Sequence, residues 1–423
     1  MRALWTLLAR RRDYRLLLGA GLVSVAGDYA LGVGLAYYVY RLTGSTLAAA
    51  VLVLTGLVPQ VVLGSVAGVF ADRWERRRTM VVVDLLLAAG LAPLVLVQSP
   101  ERVWIVYAVM LWESCLEQFF LPAEQSVVPH LVGAEQLVTA NALTGQTRDA
   151  ARLVGAAVGG LLVAAGGITL LAAADAATFV GSALLIAAVR TRSRARRVGR
   201  VAFTRRTAQL AVDWVDGLRL ALRRPALRAA FWFALATSAG EGIMATLMAP
   251  YVRDVLHGSG AVYGYIVSVQ AVGGIAGGLL AAVVGHRFPP AKLWGFGALA
   301  FGAIDLVLFL YPVAYPELWP AFVCMIVVGV PGALVGAGAM TVYQRAAADA
   351  WRGRVFGALT AVEGCSMLVG TLAAGTLGGV LGIVPVLAIQ GAGYVVGGAL
   401  VITRLRAIHA DATPEAAVVP DAA

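Results

Sequence analysis

The 423-residue chain has a single lysine, Lys292, four histidines and three cysteines, and only 13% of its residues are charged. Each shortage removes a class of protein. Lys292 sits in PPAKL, so there is no glycine-rich loop closing on Gly-Lys-Ser/Thr and no ATP-driven pump. His130, His257, His286 and His409 never pair as HExxH, and no GxSxG occurs, so the clustered groups of a zinc peptidase or serine hydrolase are missing and no enzyme is expected. Cys115, Cys324 and Cys365 are odd in number, scattered and set in apolar runs, which fits packing and neither a disulfide framework nor a CxxC metal site. No cofactor motif is present and none is expected. A soluble domain carries about one-quarter charged residues, and this chain falls far below that.

What the chain has in excess is apolar length. It is 60% hydrophobic, with a mean hydropathy of +0.83, and the surplus runs from end to end. A membrane-spanning helix needs about 20 mostly apolar residues. Twelve such runs occur, at 16–40, 46–70, 79–99, 103–123, 138–165, 167–189, 229–251, 260–285, 291–312, 318–343, 355–381 and 383–403. The expected fold is therefore an all-α polytopic membrane protein with twelve transmembrane helices. The first run lacks the short apolar core and small-residue cleavage site of a signal peptide, so it is expected to be retained.

Arginine sets the orientation. The N-terminal arm holds Arg2, Arg10, Arg11, Arg12 and Arg15, the next loop on that side Arg73, Arg76, Arg77 and Arg78, and the segment from Arg190 to Arg228 twelve more. Only Arg41, Arg102 and Arg253 fall on the opposite side. By the positive-inside rule both termini are cytoplasmic and the site is the plasma membrane. The net charge of +10 is then a topology signal, and no nucleic-acid partner is expected. Within the central segment Leu210, Trp214, Leu218 and Leu222 recur every four residues between charged ones, which suits a helix lying on anionic membrane lipid, or a solvated connector.

That basic segment splits the runs six and six, and the two sets repeat. SVAGD (24–28) meets TSAGE (237–241) at an offset of 213 residues. Gly64-xxx-Gly68-xxx-Asp72-Arg73 meets Gly278-xxx-Ala282-xxx-His286-Arg287 at 214. LVGAAVGG (153–160) meets LVGTLAAG (368–375), and Gly167-Ile168 meets Gly382-Ile383, at 215. Three segments in one order at nearly one offset mark two homologous six-helix halves. The expected organisation is an N-terminal arm (1–15), a first half (16–189), a basic linker with an amphipathic helix (190–228), a second half (229–404) and a cytoplasmic tail (405–423).

Two parallel six-helix halves are the arrangement of major facilitator transporters, and GSVAGVFADRWERRRTMVVVD (64–84) resembles that superfamily's signature between helices 2 and 3. Gly68, Asp72, Arg73, Arg76 and Arg77 occupy matching positions, with Glu75 where a second glycine is usual. RDYRLLLGAGLVSVAGD (12–28), YRLTGS (40–45) and WRGRVFG (351–357) resemble the branch that exports drugs, macrolides and enterobactin-type siderophores, over about residues 12–405. In the fifth helix Gly155, Gly159 and Gly160 fit an antiporter motif, with Ala156 in place of its proline. The resemblance implies that Asp72 faces the start of helix 11 near Gly353, and that helices 1, 4, 7 and 10 line a central cavity. On the residues themselves, Asp72 suits a helix N-terminus, and Arg73, Arg76 and Arg77 either bridge acids across the two halves as a cytoplasmic gate or only obey the charge rule.

Acids at mid-span are costly, about 2.5–3.5 kcal/mol each on insertion scales, so they face a cavity or a partner. Asp28 and its repeat mate Glu241 lead this set, followed by Glu113 and Glu117, one helical turn apart. Arg148 and Arg152 are the expected counter-charges. A carboxyl group whose surroundings alternate between apolar walls and a nearby cation changes its hold on a proton, which is what coupling needs; the alternative is a static buried ion pair. Asp305, Asp149 and Glu363 are weighed evenly between the two. Tyr29, Tyr38, Trp112 and Tyr251, on or beside helices 1, 4 and 7, add aromatic faces suited to a lipophilic or cationic small molecule. The reading is a proton-coupled exporter of a drug-like compound or secondary metabolite, acting as a monomer, with protons, the small molecule and membrane lipids as its partners. An importer or facilitator, or a non-transporting sensor or scaffold of the same fold, remains the alternative.

Overall fold

The computed structural model describes residues 11–71, 74–133, 136–190, 218–219, 222–285, 287–346 and 352–411. Asp72, Arg73, His286, most of the basic linker and the tail beyond Asp411 lie outside the described residues, so most of the expected amphipathic helix and two of the five gate residues do as well. In hydrocarbon no water satisfies backbone N–H and C=O groups, so an apolar chain spans as helices that close their own hydrogen bonds. Among the described residues twelve long helices follow: α1 (Arg12–Thr43), α2 (Thr46–Ala71), α3 (Arg76–Gly90), α4 (Val103–Val132), α5 (137–166), α6 (168–187), α7 (Pro225–Pro250), α8 (Gly260–Val284), α9 (Pro290–Leu310), α10 (Trp319–Ala346), α11 (Arg352–Leu381) and α12 (Ile383–Thr403). A short α13 (Leu405–Asp411) ends the described chain. Nine helical stretches among the described residues are long and apolar enough to cross a membrane, with Thr46–Gln60 as a shorter apolar helix.

Helix ends differ from the expected runs where polar residues hide helical length. α4 continues to Val132 instead of stopping near 123, because Glu124, Gln125 and Ser126 dilute its hydropathy without breaking its hydrogen bonds. α3 stops at Gly90 and hands over to a 3-10 turn, Ala92–Leu96. α7 is followed by a π turn, Tyr251–Val255.

The chain divides into two compact units, Met1–Thr204 with Gly258–Ser268, and Arg205–His257 with Val269–Ala423. In the first, Tyr14, Leu17, Met80, Val127, Leu131, Ala140 and Ile186 pack into a core that joins α1, α3, α4, α5 and α6. In the second, Trp294 is fully buried with its edges against Phe233 and Tyr343. Many large apolar side chains stay exposed, such as Leu184 and Val380. Exposed apolar surface on that scale belongs against lipid.

The internal repeat reappears as packing. In the first unit a Cβ on Gly155 would collide with the Ala26 carbonyl, so α5 lies on the α1 backbone. In the second, a Cβ on Gly370 would collide with the Ala239 carbonyl, so α11 lies on α7 in the same way. These are repeat mates on both sides of each contact. Gly27 packs against Asp175, and its mate Gly240 packs against Gln390, the mate of Asp175. The turns match too: Gly167 (φ 63°) breaks the helical run between α5 and α6, and Gly382 (φ 92°) separates α11 from α12. A left-handed backbone there is open to glycine at little cost.

Gly370→Leu should push α11 off α7 and lower stability by about 1–3 kcal/mol, the range for overpacking a tight interface, read as thermal unfolding in detergent. Gly357→Leu, on the same helix but with open space around its Cβ position, should leave unfolding unchanged. Equal losses at both positions would show that the close approach at Gly370 carries no special weight.

Candidate functional site

Three backbone contacts hold α1 in register. Ala26 and Ala30 lie under Gly155 and Gly159 of α5, and Gly27 lies against Asp175 and Thr178 of α6. Asp28 is thereby directed to α4, where it meets Glu113 and Glu117. One carboxylate oxygen from each of the three lies within 4.8 Å of the others. Glu113 is buried, Asp28 and Glu117 are half-buried, and neither Oδ1 of Asp28 nor Oε2 of Glu113 has a hydrogen-bond partner. Asp28, set beside its repeat mate Glu241 in the sequence reading, thus lies with the two acids of α4.

The expected counter-charges are elsewhere. Arg148 forms its ion pair with Glu124, one residue beyond the predicted end of the fourth span. Arg152 has a 54% exposed side chain 3.9 Å from Asp149 and stands over the Tyr29 ring, 5.1 Å from its centroid. Among the described residues no lysine or arginine forms an ion pair with Asp28, Glu113 or Glu117. Isolated ionised groups inside apolar surroundings are very costly unless neutralised or paired.

Several predicted lining aromatics have structural duties instead. Tyr38 is buried and donates to the Val97 carbonyl at 2.8 Å, anchoring the C-terminal end of α1 to the turn after α3. Tyr251 is fully buried, donates to the Leu308 carbonyl and meets Phe309 edge-on, so it ties the end of α7 to α9. Trp112 donates to the Leu86 carbonyl at 3.3 Å and covers Gly90 of α3. Of the four, Tyr29 and Trp112 are exposed, each next in the chain to one of the acids, Asp28 and Glu113.

The second unit treats its acids differently. Glu241 Oε1 accepts a hydrogen bond from the Tyr394 hydroxyl at 2.6 Å. Asp305 Oδ2 accepts one from Gln390 Nε2 at 2.7 Å, with both residues fully buried. Tyr394 is held in turn by Phe301, with ring centroids 4.3 Å apart. The repeat positions of Glu113 and Glu117, at an offset of 214, are Val327 and Pro331. A trio of acids is therefore a property of the first half, whereas its mate Glu241 is satisfied by a neutral donor.

At the start of α3 the basic residues hold helix ends of their own unit. Arg76 donates to the Ser126 carbonyl at 3.1 Å and lies 2.9 Å from His130 Nε2. Arg77 donates to the Val189 carbonyl at 2.5 Å, and Asp13 accepts from the Arg190 backbone N–H at 3.1 Å. Cations at helix C-termini offset unsatisfied carbonyls, so these arginines brace α4 and α6. Gly68 lies within α2.

Reasoning from sequence passed over three acids. Glu124 shares a helical face with Glu113 and Glu117 (i, i+4, i+11), a spacing that would have found it. Asp84 on α3 and Asp175 on α6 are single acids inside apolar runs, and both are buried. Asp175 accepts from Thr178 at 3.0 Å, while its Oδ2 and both oxygens of Asp84 lack partners.

A family model described as a transmembrane secretion effector matches residues 5–422. The chain is 28% identical to the multidrug efflux pump Tap of Mycobacterium tuberculosis over 375 residues, 86% of each chain. It is 29% identical to macrolide efflux protein A of Streptococcus pyogenes over 170 residues, which is 40% of this chain and only 42% of that relative. Among solved structures, the peptide transporter POT aligns with a TM-score of 0.73 at 14% identity, covering 94% of this chain and 95% of that one. The nucleoside transporter NupG aligns at 0.70 and 14%, covering 93% and 99%. At such identities the structural likeness establishes the fold.

The Asp305–Gln390 pair leaves Asp305 Oδ1 and Gln390 Oε1 without a donor. Asp305→Asn supplies an amide donor at the same volume and should fold with wild-type stability. Asp305→Ala strands the Gln390 amide and should cost about 1–3 kcal/mol. Thermal unfolding of the two purified variants checks this, and an Asn variant as unstable as the Ala variant would refute the pairing argument.

Proposed function

The chain belongs to the transmembrane secretion effector family of the major facilitator superfamily, and on that premise we propose that it exports a lipophilic or amphiphilic, cationic small molecule across the plasma membrane in exchange for protons. The observation that carries the reading is the trio Asp28, Glu113 and Glu117, set on α1 and α4 with no basic partner among the described residues. A transporter of this kind needs a group that gains and loses a positive charge as access alternates between the two sides. Protons arriving at the trio neutralise it, and substrate entering from the other side takes their place. Glu241, already held by Tyr394, makes the smaller contribution.

The relatives' names, multidrug efflux and macrolide efflux, support an outward direction and a bulky, largely apolar cargo. Tyr29, exposed beside Asp28, offers an aromatic face for it. In this reading both termini are cytoplasmic, and the protein works as a monomer surrounded by lipid. The arginines after α2 serve the cytoplasmic gate by stiffening the inner ends of α4 and α6, which then move as one piece with α3.

Asp28→Asn keeps the volume and removes the titratable group. Efflux driven by a pH gradient in inside-out vesicles should fall to the level seen without a gradient, while substrate exchange at equilibrium persists if binding does not need the charge. Glu241→Gln should give a milder defect, and the double variant less than the sum of the two, since groups serving one cycle are not additive. Gradient-driven efflux at the wild-type rate in Asp28→Asn would remove the acid from the coupling step. Protein amount and unfolding temperature, measured alongside, separate that outcome from misfolding.

A further inference from the structure

We propose that Asp28, Glu113 and Glu117 form a binding site for one divalent cation of the Ca2+ class, a ligand that goes beyond the proton and organic cargo of the efflux reading. The three residues present one oxygen each, all within 4.8 Å of one another. Calcium takes oxygen ligands at about 2.3–2.6 Å, and three oxygens no more than 4.8 Å from one another leave a central point at most about 2.8 Å from each. A single ion fits between these oxygens after small rotamer adjustments. Magnesium, with ligands at about 2.0–2.1 Å and strict octahedral geometry, would require the group to contract.

A second observation points to a ligand. Glu113 is 5% exposed and its Oε2 has no hydrogen-bond partner, although it lies among other acids where an orphan acceptor is least tolerable. Asp28 Oδ1 is likewise unpartnered. Behind them Asp175, 1% exposed, is packed against Gly27 with Oδ1 held by Thr178 and Oδ2 without a partner, adding a fourth negative group to the same region.

Proton loading alone does not ask for this convergence. In the second unit Asp305 and Glu241 each take a neutral partner, Gln390 and Tyr394. Three oxygens drawn to one point, all carboxylate and with no sulfur or imidazole among them, match the hard-donor chemistry of Ca2+ or Mn2+ in preference to zinc or copper. The helix register supplies the geometry: Glu113 and Glu117 stack one turn apart on α4, and the packing of α1 on α5 and α6 fixes Asp28 opposite them.

The test is a calorimetric titration of Ca2+ alone into the purified full-length protein in detergent. One saturable site with a dissociation constant at or below about 1 mM is expected, the weak end of natural oxygen-ligand sites. Asp28→Asn and Glu113→Gln should each weaken binding by at least about tenfold, since affinity follows the number of charged ligands. Asp305→Asn, in the other unit, should bind as wild type does. Should Glu113→Gln unfold, Glu117→Gln provides the same comparison. No saturable binding in the wild type, or equal binding in the trio variants, overturns the proposal. Binding is read without transport, so a protein that exports cargo yet takes no Ca2+ loses only this inference. A protein that takes Ca2+ but exports nothing loses only the efflux reading.

Discussion

Moving a carboxylate out of water into a low-dielectric interior costs several kcal/mol even after the protein relaxes around it, and the polar interior of this chain is arranged by how that cost is met. Glu124 meets it with the Arg148 ion pair. Glu241 meets it with the Tyr394 hydroxyl and Asp305 with the Gln390 amide. Asp28, Glu113 and Glu117 have no such fixed partner among the described residues, and they bring one oxygen each to within 4.8 Å of the others. In the proposed efflux reading something mobile supplies the balance for this trio. That is the physical link between the trio and transport.

The trio is held in place by backbone contacts of α1. Glycines at 155 and 159 let α5 close on the α1 backbone, and the same contact recurs between α11 and α7 through Gly370. Those contacts come from the shared ancestry of the halves and set helix register in both. On this common frame the two halves diverge in chemistry. Asp175 in one stands where Gln390 stands in the other, and Glu113 and Glu117 face Val327 and Pro331 as their repeat positions. Symmetry supplies the scaffold and its local breaking supplies the charge.

Most of the fold was legible in the sequence, because hydrocarbon imposes helices and apolar length reports them directly. The repeat was legible for the same reason that its contacts are conserved in space: the glycines that allow close approach survive in both halves. Asp28, Glu113 and Glu117 were foreseen as mid-span acids, with Asp28 set beside its repeat mate Glu241 and not beside the acids of α4. Their counter-charges were not. Arg148 looked available because its true partner, Glu124, lay one residue past the apparent end of the fourth span, where hydropathy falls while the helix continues to Val132. Tyr38, Trp112 and Tyr251 were read as lining groups, since sequence shows an aromatic ring near a cavity helix but not the carbonyl that its polar end will reach. Hydroxyl and indole groups in an apolar interior seek such carbonyls, and all three found one.

Infrared difference spectroscopy of the purified protein, scanned between acid and alkaline pH in the presence of a chelator, addresses the unmet charge of the trio most directly. Carboxyl groups that exchange protons give a C=O band that appears and vanishes with pH, whereas a carboxylate locked in an ion pair gives none. The wild type should show such a band, Asp28→Asn and Glu113→Gln should each diminish it, and Asp305→Asn should leave the remainder intact. A band that is unchanged in both trio variants would contradict the assignment of exchangeable charge to Asp28, Glu113 and Glu117.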